Sequence, residues 1–491
     1  MNKGLFVVIF LVVIVVALFI SCERELSKPS PNKPPNTTLA NIPVEGDTLF
    51  ALVTLHWDGE DDDGFIEAYE YRYITRHIFA GDSVIHDWVR TEETSVTIPF
   101  ESSDKLNRQR FQVRAVDNMG DVDPSPAERV FYTVQTIYPE TEIVFPEKEN
   151  QKFFVIDGVT DWWQGIRLSF TAKDKDGEVV EYAWAVDSSE WHWTSDTTVL
   201  IGPEFFNPLD GKHKLKVTSR DNTNLVDPVG DSIHVILIRP TWERDILIVD
   251  ETDESKFPTG MHYKDADVDS FYYKVFKPDT MWDYKKSGMP PKDFIGKFKL
   301  LIWHADNYYT YEKDVHKLPE HIEDIMDYMN VGGDFIMSGW RILKSFAVDE
   351  PFPKAFDEGT FIHDYLHIKK ADESAPIPDF NGAYVSDTLN FSDIFVDSVK
   401  LSESYLTSVP TIGLMYVNVI PEAAGFTDVL YRYRNNDYTG IPTHRGYPCG
   451  LRYYGTVFDA VVLGFPIFFI KEEDAIRMGG EILRSLGYER K

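Results

Sequence analysis

Cysteine is almost missing from this chain of 491 residues, which contains only Cys22 and Cys449. A disulfide framework is therefore excluded, because one cysteine directly follows the apolar N-terminal run and the other stands alone. Basic residues are also few beside acidic ones: 49 Lys and Arg face 80 Asp and Glu, which gives a net charge of −31. This charge opposes nucleic acid, or an anionic membrane surface, as a general partner and favours solubility.

The sequence also lacks a glycine-rich phosphate loop and any zinc-type spacing of Cys and His, so we expect no such cofactor. Apolar and aromatic residues, by contrast, make up 43% and 14% of the chain. These fractions are typical of a folded protein without long disordered stretches. The length is too great for one ordinary core, and about three domains are expected.

The N-terminus has the organisation of an export signal. Lys3 precedes an apolar run at residues 5–20, and Cys22 follows within two residues. Residues 18–22 resemble a bacterial lipobox. This resemblance implies that residues 1–21 are a signal peptide, that Cys22 is lipidated, and that the exported chain is anchored in a cell-envelope membrane, on the periplasmic face or the cell surface. An uncleaved anchor helix is the alternative. Residues 22–36 are rich in proline and predict a stiff tether.

Residues 37–135 contain short alternating strands separated by turn signals, which predicts an all-β sandwich. The same pattern returns at residues 139–240 and indicates a tandem duplication. The matching positions, with identical spacing, are Trp57, Asp63, Gly64 and Tyr69 in the first copy and Phe170, Asp176, Gly177 and Tyr182 in the second. The repeated motif resembles bacterial fibronectin type III and polycystic-kidney-disease-type immunoglobulin-like modules, which implies a spacer or adhesion role.

The acidic turns of both modules offer hard oxygen ligands of the kind that calcium prefers. The candidates are Asp61, Asp63, Asp117 and Asp123 in the first module and Asp174, Asp176, Asp221 and Asp227 in the second. The alternative is that these side chains accept hydrogen bonds from nearby backbone N–H groups and hold the turns. We expect the alternative, since no loop of regularly alternating calcium ligands is present, and we expect no cofactor.

Tryptophan is concentrated in the second module, at Trp162, Trp163, Trp184, Trp191 and Trp193. These rings could form a platform for sugars. Packing in the core and on the strands is the alternative that we expect, because aromatic residues favour pleated, half-buried surfaces.

The hydrophobic period changes at residue 244, and residues 244–491 predict an α/β domain with a doubly wound, mostly parallel sheet. Buried strands are predicted at residues 245–250, 300–303, 335–337, 429–434, 451–454 and 460–465. Helices are predicted at residues 265–276, 319–330, 361–368 and 472–486.

Several segments of this domain, including those around residues 246–251, 300–306, 332–340 and 461–488, resemble a flavodoxin-like domain related to class I glutamine amidotransferases. In that family a nucleophilic Cys occupies a strand-to-helix elbow, with a His-x-Glu pair later in the chain. Ser338 stands at the elbow here, and no His-x-Glu pair follows. The amidotransferase reaction is therefore not expected. Hydrolysis through Ser338 with His363 or His367 as base is a rival hypothesis.

Polar residues end the predicted parallel strands: Asp250, Glu251, His304, Asp306 and Ser338. Because carboxyl ends of parallel strands meet at one edge, we expect these five to line a crevice. Its carboxylates and imidazole could hold a metal or a small ligand. The alternative to such binding is that these side chains cap helices or end the strands in solvent. We expect this alternative, and no metal is predicted. Cys449 is interpreted as a small buried apolar residue.

These patterns predict an exported, lipid-anchored binding or structural protein, in which two β modules space a non-catalytic α/β domain that binds a protein partner or a glycan. One alternative is an exported hydrolase that uses Ser338 or a site built on His304 and Asp306. Another is glycan capture by the tryptophan-rich second module.

Overall fold

The computed structural model describes residues 31–41, 43–100, 106–134, 137–175, 177–257, 262–306, 316–373, 380–385, 390–404, 413–416, 426–435 and 444–489. The predicted signal peptide, the lipidation site Cys22, residues 22–30 of the tether and the calcium candidate Asp176 lie outside these residues. Among the described residues, no helix combines the length and the apolar character that crossing a bilayer requires.

The first module is a sandwich of two sheets, ordered β1-β3-β6 and β2-β8-β7-β4-β5. Its strands are β1 (Asn36–Leu39), β2 (Thr48–Phe50), β3 (Leu52–Glu60), β4 (Ile66–His77), β5 (Ser83–Thr91), β6 (Ser95–Pro99), β7 (Asn107–Asp117) and β8 (Ala127–Val134). Alternate residues of β3 point inward, and Trp57 packs against Phe111 of β7 with ring centroids 5.8 Å apart. The all-β sandwich predicted from alternation is confirmed.

The second module repeats this arrangement strand for strand, with sheets β9-β11-β14 and β10-β16-β15-β12-β13. Its strands are β9 (Glu140–Phe145), β10 (Gln151–Phe154), β11 (Ile166–Lys173), β12 (Val179–Val186), β13 (His192–Thr194), β14 (Thr198–Ile201), β15 (Gly211–Asp221) and β16 (Asp231–Ile238). Each module has one parallel pair at the equivalent place, β2 with β8 and β10 with β16. This shared order agrees with a tandem duplication.

The C-terminal region forms one sheet of nine strands, ordered β18-β17-β19-β20-β28-β27-β26-β23-β24. These are β17 (Arg244–Asp250), β18 (Thr280–Asp283), β19 (Phe298–Ala305), β20 (Asp334–Gly339), β23 (Phe380–Val385), β24 (Ile394–Phe395), β26 (Thr427–Asn435), β27 (Pro448–Tyr454) and β28 (Asp459–Leu463). A smaller sheet joins β21 (Lys354–Ala355), β22 (Lys370–Glu373) and β25 (Gly413–Tyr416).

The large sheet is mixed, which corrects the expectation of a mostly parallel one. The four pairings from β18 to β28 are parallel. The other four, from β28 to β24, are antiparallel. Strands β23, β24, β26 and β27 of this antiparallel part come from residues 380–454, where the sequence is least regular.

The helices of this region are α1 (Asp265–Phe276), α2 (Tyr284–Ser287), α3 (Lys292–Ile295), α4 (Ile322–Asn330), α5 (Phe361–Asp364), α6 (Ser398–Glu403) and α7 (Glu472–Ser485). α1 and α7 share a buried cluster with the inward residues of β17, β19 and β20. The chain leaves β17 through α1 towards β18, and leaves β19 through α4 in the other direction, towards β20. Right-handed crossovers in opposite directions place α1 and α4 on opposite faces of the sheet.

Helix boundaries differ from the prediction in two places. The helix predicted at 361–368 is the single turn α5, because His367 adopts a left-handed φ of 53°. The helix predicted at 319–330 is divided into a 3-10 turn, Leu318–His321, and α4. The prediction for α1, residues 265–276, is confirmed.

The chain divides into two compact units. One is the first module together with residues 173–180 and 220–227, and the other is the remainder of the second module together with the C-terminal region.

Candidate functional site

The carboxyl ends of three parallel strands bring three of the predicted residues side by side. In the register of the sheet, Asp250 of β17 pairs with His304 of β19, and His304 pairs with Ser338 of β20. β17 and β19 are also the strands at which the chain changes direction across the sheet, and ligands of open α/β sheets bind outside such a point. The geometry therefore marks this edge as a candidate binding site.

His304 is fully buried, and Tyr272 of α1 stacks on its ring with centroids 3.6 Å apart. Its Nε2 lies 3.3 Å from Asp250 Oδ1. Among the described residues, neither ring nitrogen has a hydrogen-bond partner. Burial lowers the pKa of His304 to about 3, so the imidazole is neutral at physiological pH.

Tyr272 also joins two other predicted site residues. Its hydroxyl lies 3.0 Å from Asp306 Oδ2 and 3.2 Å from Ser338 Oγ. The backbone N–H of Phe468 donates to Asp306 Oδ2 at 3.1 Å. Burial raises the pKa of Asp306 to about 7, against the hydrogen bonds from Phe468 and Tyr272, which lower it. Tyr272 was predicted only as part of the helix at residues 265–276; its single polar group among the apolar residues of that helix face was the available signal.

Glu251 does not belong to this group. It follows Asp250 and lies on the opposite face of the sheet, where Trp303 Nε1 donates to its Oε2 at 2.9 Å. The backbone N–H of Lys317 donates to its other oxygen. Burial raises the pKa of Glu251 to about 7. The expected crevice of five residues is thus divided by the sheet, with Glu251 separate from the other four.

His363 and His367 lie near the amino end of β20 and β28, away from Ser338. Both line a cavity of about 780 Å³. His363 Nδ1 is 2.7 Å from Asp364 Oδ1, and the His367 ring stacks on Tyr453 with centroids 4.0 Å apart. Burial lowers the pKa of His367 to about 4. Neither histidine is placed to act on Ser338, which is a correction to that pairing.

This cavity lies beside the second module, and Trp162 of that module is part of its wall. The lining residues are Asp161, Trp162, Glu358, Gly359, His363, Asp364, His367, Phe426, Tyr453, Tyr454 and Thr456. Aromatic faces and hydrogen-bonding groups therefore alternate around the opening. Sequence reasoning considered Trp162 and the two histidines separately but had no means of placing them together.

The other tryptophans of the second module divide into two kinds. Trp163 and Trp184 are buried, as expected for core residues. Trp191, which directly precedes the edge strand β13, and Trp193, within that strand, are 43% and 41% exposed. An exposed pair of rings on an edge strand remains a second candidate surface for a sugar.

A group of carboxylates that the sequence analysis missed lies beside His304. Oxygens of Asp250, Asp265 and Asp269 are all within 4.8 Å of one another. Asp265 and Asp269 are one turn apart in α1, and the sequence prediction gave neither of them a role. Burial and the neighbouring Asp269 raise the pKa of Asp265 to about 6. The spacing of four residues was the signal that could have identified the pair.

In the acidic turns of the β modules, aspartates accept local hydrogen bonds. Asp117 Oδ1 accepts the backbone N–H groups of Met119 at 2.8 Å and Asp121 at 2.9 Å. Asp221 Oδ1 accepts those of Thr223 and Leu225, both at 2.8 Å. These bonds are the turn-holding role considered for both residues.

Of the other calcium candidates, Asp61 and Asp63 are more open, whereas Asp123 and Asp227 are buried. Asp61 Oδ1 accepts the backbone N–H of Asp63 at 3.3 Å, and Asp63 accepts that of Lys33. Among the described residues, the acidic turns do not bring three ligand groups together, whereas Asp250, Asp265 and Asp269 do. Calcium binding at the turns, including Asp174, stays an untested alternative to the turn-holding role that we expect. Cys449 is buried, and burial raises the pKa of its thiol.

Comparison with known proteins gives only distant likenesses. No protein-family model matches the sequence, and no curated protein matches it. The fibronectin(III)-like modules of Clostridium thermocellum CbhA are 16% identical over 42% of this chain and 95% of that chain, with a TM-score of 0.19. The FN1-FN3 domains of chicken CNTN1 are 14% identical over 42% of this chain and 65% of that chain, with a TM-score of 0.18.

A third similar structure contains three N-terminal domains of the highly immunogenic outer capsid protein of bacteriophage RB49. It is 15% identical over 44% of this chain and 63% of that chain, with a TM-score of 0.19. This chain therefore spans slightly less than two thirds of the chicken and bacteriophage chains.

Proposed function

We propose that this protein is an exported, lipid-anchored binding or structural protein of a bacterial cell envelope. In this proposal Cys22 carries the lipid, and the two β-sandwich modules space the C-terminal region. That region is a doubly wound α/β domain related to class I glutamine amidotransferases, and it binds a glycan without turning it over. The export signal, the repeated modules and the environment of Ser338 support this reading.

The environment of Ser338 is the observation that carries the non-catalytic part. A serine nucleophile requires a base within hydrogen-bond reach and a path for the substrate. Ser338 is fully buried, and its hydrogen-bond partner among the described residues is the hydroxyl of Tyr272. Burial raises the pKa of Tyr272 far above 10, so the phenol keeps its proton and cannot serve as a base.

The cavity beside Trp162 is the place where the glycan is proposed to bind. Its volume of about 780 Å³ lies within the range of ordinary ligand pockets, about 300–1,000 Å³. Trp162, Tyr453 and Tyr454 offer apolar ring faces to the carbon–hydrogen surface of a sugar. Asp161, Glu358, His363 and Asp364 offer hydrogen-bonding groups to its hydroxyls.

Replacing Trp162 by Ala tests the glycan site. Truncation of a central aromatic residue of a binding site costs about 2 kcal/mol or more, which weakens binding about thirtyfold. We expect Trp162→Ala to weaken binding about thirtyfold in titration calorimetry and to lose most of its signal on a glycan array. The matched variant Trp191→Ala is expected to bind as the unmodified protein does. The reverse result would assign glycan capture to the edge strand of the second module. Binding of a protein and of no glycan would contradict the proposal.

Turnover screens test the non-catalytic assignment. The full chain, presented with ester, amide and glycoside substrates, is expected to show no turnover above that of the Ser338→Ala and His304→Ala variants. The alternative is an exported hydrolase, and the pKa of Asp306, about 7, would suit a general base. Turnover that is lost in either variant would establish that alternative instead.

A further inference from the structure

The three carboxylates of Asp250, Asp265 and Asp269, at the end of β17 and the start of α1, concentrate negative charge in a partly enclosed place. Asp250 is 2% exposed, and Asp265 and Asp269 are half-buried at the start of α1. Their oxygens lie within 4.8 Å of one another. Three ionised carboxylates at this separation repel one another strongly, because the surrounding protein screens their charges poorly.

Among the described residues, no Lys or Arg side chain forms an ion pair with these three carboxylates. The charge of Lys286 lowers the pKa of Asp265 and Asp269, but its Nζ lies 2.5 Å from Asp283 and forms its ion pair there. Lys285 likewise pairs with Asp253, at 2.8 Å. Within the described part of the chain, the one such contact of the three carboxylates is that of Asp250 with the His304 imidazole, at 3.3 Å. The negative charge of the three carboxylates is therefore only partly balanced within the described part of the chain.

His304 is a second and independent indication of a ligand. It is fully buried, and neither of its nitrogens has a hydrogen-bond partner among the described residues. A buried imidazole without partners is costly, and such groups normally belong to a network or a bound species. Its Nε2 is 3.3 Å from Asp250 Oδ1, so it borders the carboxylates on their buried side. Tyr272 holds the ring in this position by stacking on it.

We propose that Asp250, Asp265 and Asp269 bind a divalent cation, with His304 as the adjoining nitrogen donor. Three carboxylate oxygens favour a hard ion such as Mg²⁺ or Mn²⁺. The imidazole nitrogen shifts the preference towards Mn²⁺, because imidazole is a better ligand for first-row transition metals than for Mg²⁺. Asp265 and Asp269 are half-buried and give the ion a route from solvent. The site is separate from the glycan cavity and independent of what that cavity binds.

Manganese titration of the full-length protein in detergent, after treatment with a chelator, tests this site. Electron paramagnetic resonance, which detects the free Mn²⁺, is expected to show that one ion is bound per chain. Excess Mg²⁺ is expected to displace this ion. Coupling of the bound ion to a nitrogen nucleus is expected in the pulsed spectrum and is expected to disappear in His304→Gln. A saturating ion is expected to raise the melting temperature by about 5 °C or more.

Variants in α1 separate a built site from diffuse surface binding. Loss of even a supporting residue weakens metal binding about 10–100-fold, so Asp265→Asn and Asp269→Asn are each expected to weaken Mn²⁺ binding at least tenfold. Both are half-buried and are expected to fold, which circular dichroism checks. Each is also expected to melt higher than the unmodified protein without metal, because one repelling charge is gone. Glu323→Gln, which removes an exposed charge from α4, is the matched control and is expected to bind normally.

Three results would overturn the proposal. The first is the absence of Mn²⁺ and Mg²⁺ binding near neutral pH, which would mean that protons alone keep the carboxyl groups neutral. The second is Mn²⁺ binding that survives both aspartate substitutions, which would place the ion elsewhere on this acidic chain. The third is binding without nitrogen coupling, which would remove His304 from the site.

Discussion

Tyr272 determines the chemistry of the strand-end site at the scale of single residues. Its ring stacks on His304, and its hydroxyl forms hydrogen bonds with Asp306 and Ser338. All three of these residues are buried beneath the Tyr272 side chain and its neighbours. A serine at an elbow is therefore insufficient to indicate a nucleophile, because the residue that covers it decides whether a substrate and a base reach it.

Asp306→Asn is predicted to flatten the dependence of stability on pH. Burial raises the pKa of Asp306 from 3.8 to about 7, so the folded chain keeps a proton that the unfolded chain releases. The stabilising effect of this proton is complete below about pH 4 and is lost as the pH rises through about 7. The free energy of unfolding of the unmodified protein should thus fall by about 3–4 kcal/mol more than that of the variant between about pH 4 and pH 7.

Urea unfolding at a series of pH values measures this difference. Glu251→Gln should act in the same direction, because burial also raises the pKa of Glu251 to about 7. Glu323→Gln is the control, since this exposed carboxylate should leave the profile unchanged. Parallel stability curves for the unmodified protein and Asp306→Asn would contradict the placement of Asp306 in a dry, enclosed position.

Secondary-structure elements whose apolar residues recur with a clear period were predictable from the sequence. Val268, Phe271, Tyr272 and Val275 mark one face of α1, and its bounds were predicted correctly. The β modules were predictable because each strand alternates and each turn carries its own signal. The antiparallel half of the large sheet was not, because strands such as β26 mix buried and half-buried residues without a clear period.

The site was predictable only as far as the sheet determines it. Asp250, His304 and Ser338 meet because carboxyl ends of parallel strands share an edge. Glu251 was misplaced, since one further residue along the chain reverses the face. Asp265, Asp269 and Tyr272 were missed because the position of a helix over a sheet depends on packing that its own sequence does not contain. The cavity beside Trp162 depends on two domains and has no local signature.

At the scale of the whole molecule, the second β module and the C-terminal region are joined by a packed and charged interface. Phe154 of β10 packs on Tyr328 of α4 with centroids 6.2 Å apart, and its backbone N–H donates to Asp327 at 2.9 Å. Lys292 Nζ lies 3.2 Å from Asp324 and also contacts Asp327. Gly296 allows the close approach, because a Cβ there would lie 2.8 Å from the Phe154 ring.

Phe154→Ala is therefore predicted to destabilise the second module and the C-terminal region together. Removal of a fully buried phenylalanine costs about 3–5 kcal/mol. Hydrogen exchange of the full-length protein, followed by mass spectrometry, should show faster exchange in both β16 and β19. Phe111→Ala is the control, because Phe111 belongs to a core made by the first module alone. It should accelerate exchange in β7 and leave β19 unchanged. Faster exchange in β16 with β19 unaffected by Phe154→Ala would show that the two regions unfold separately.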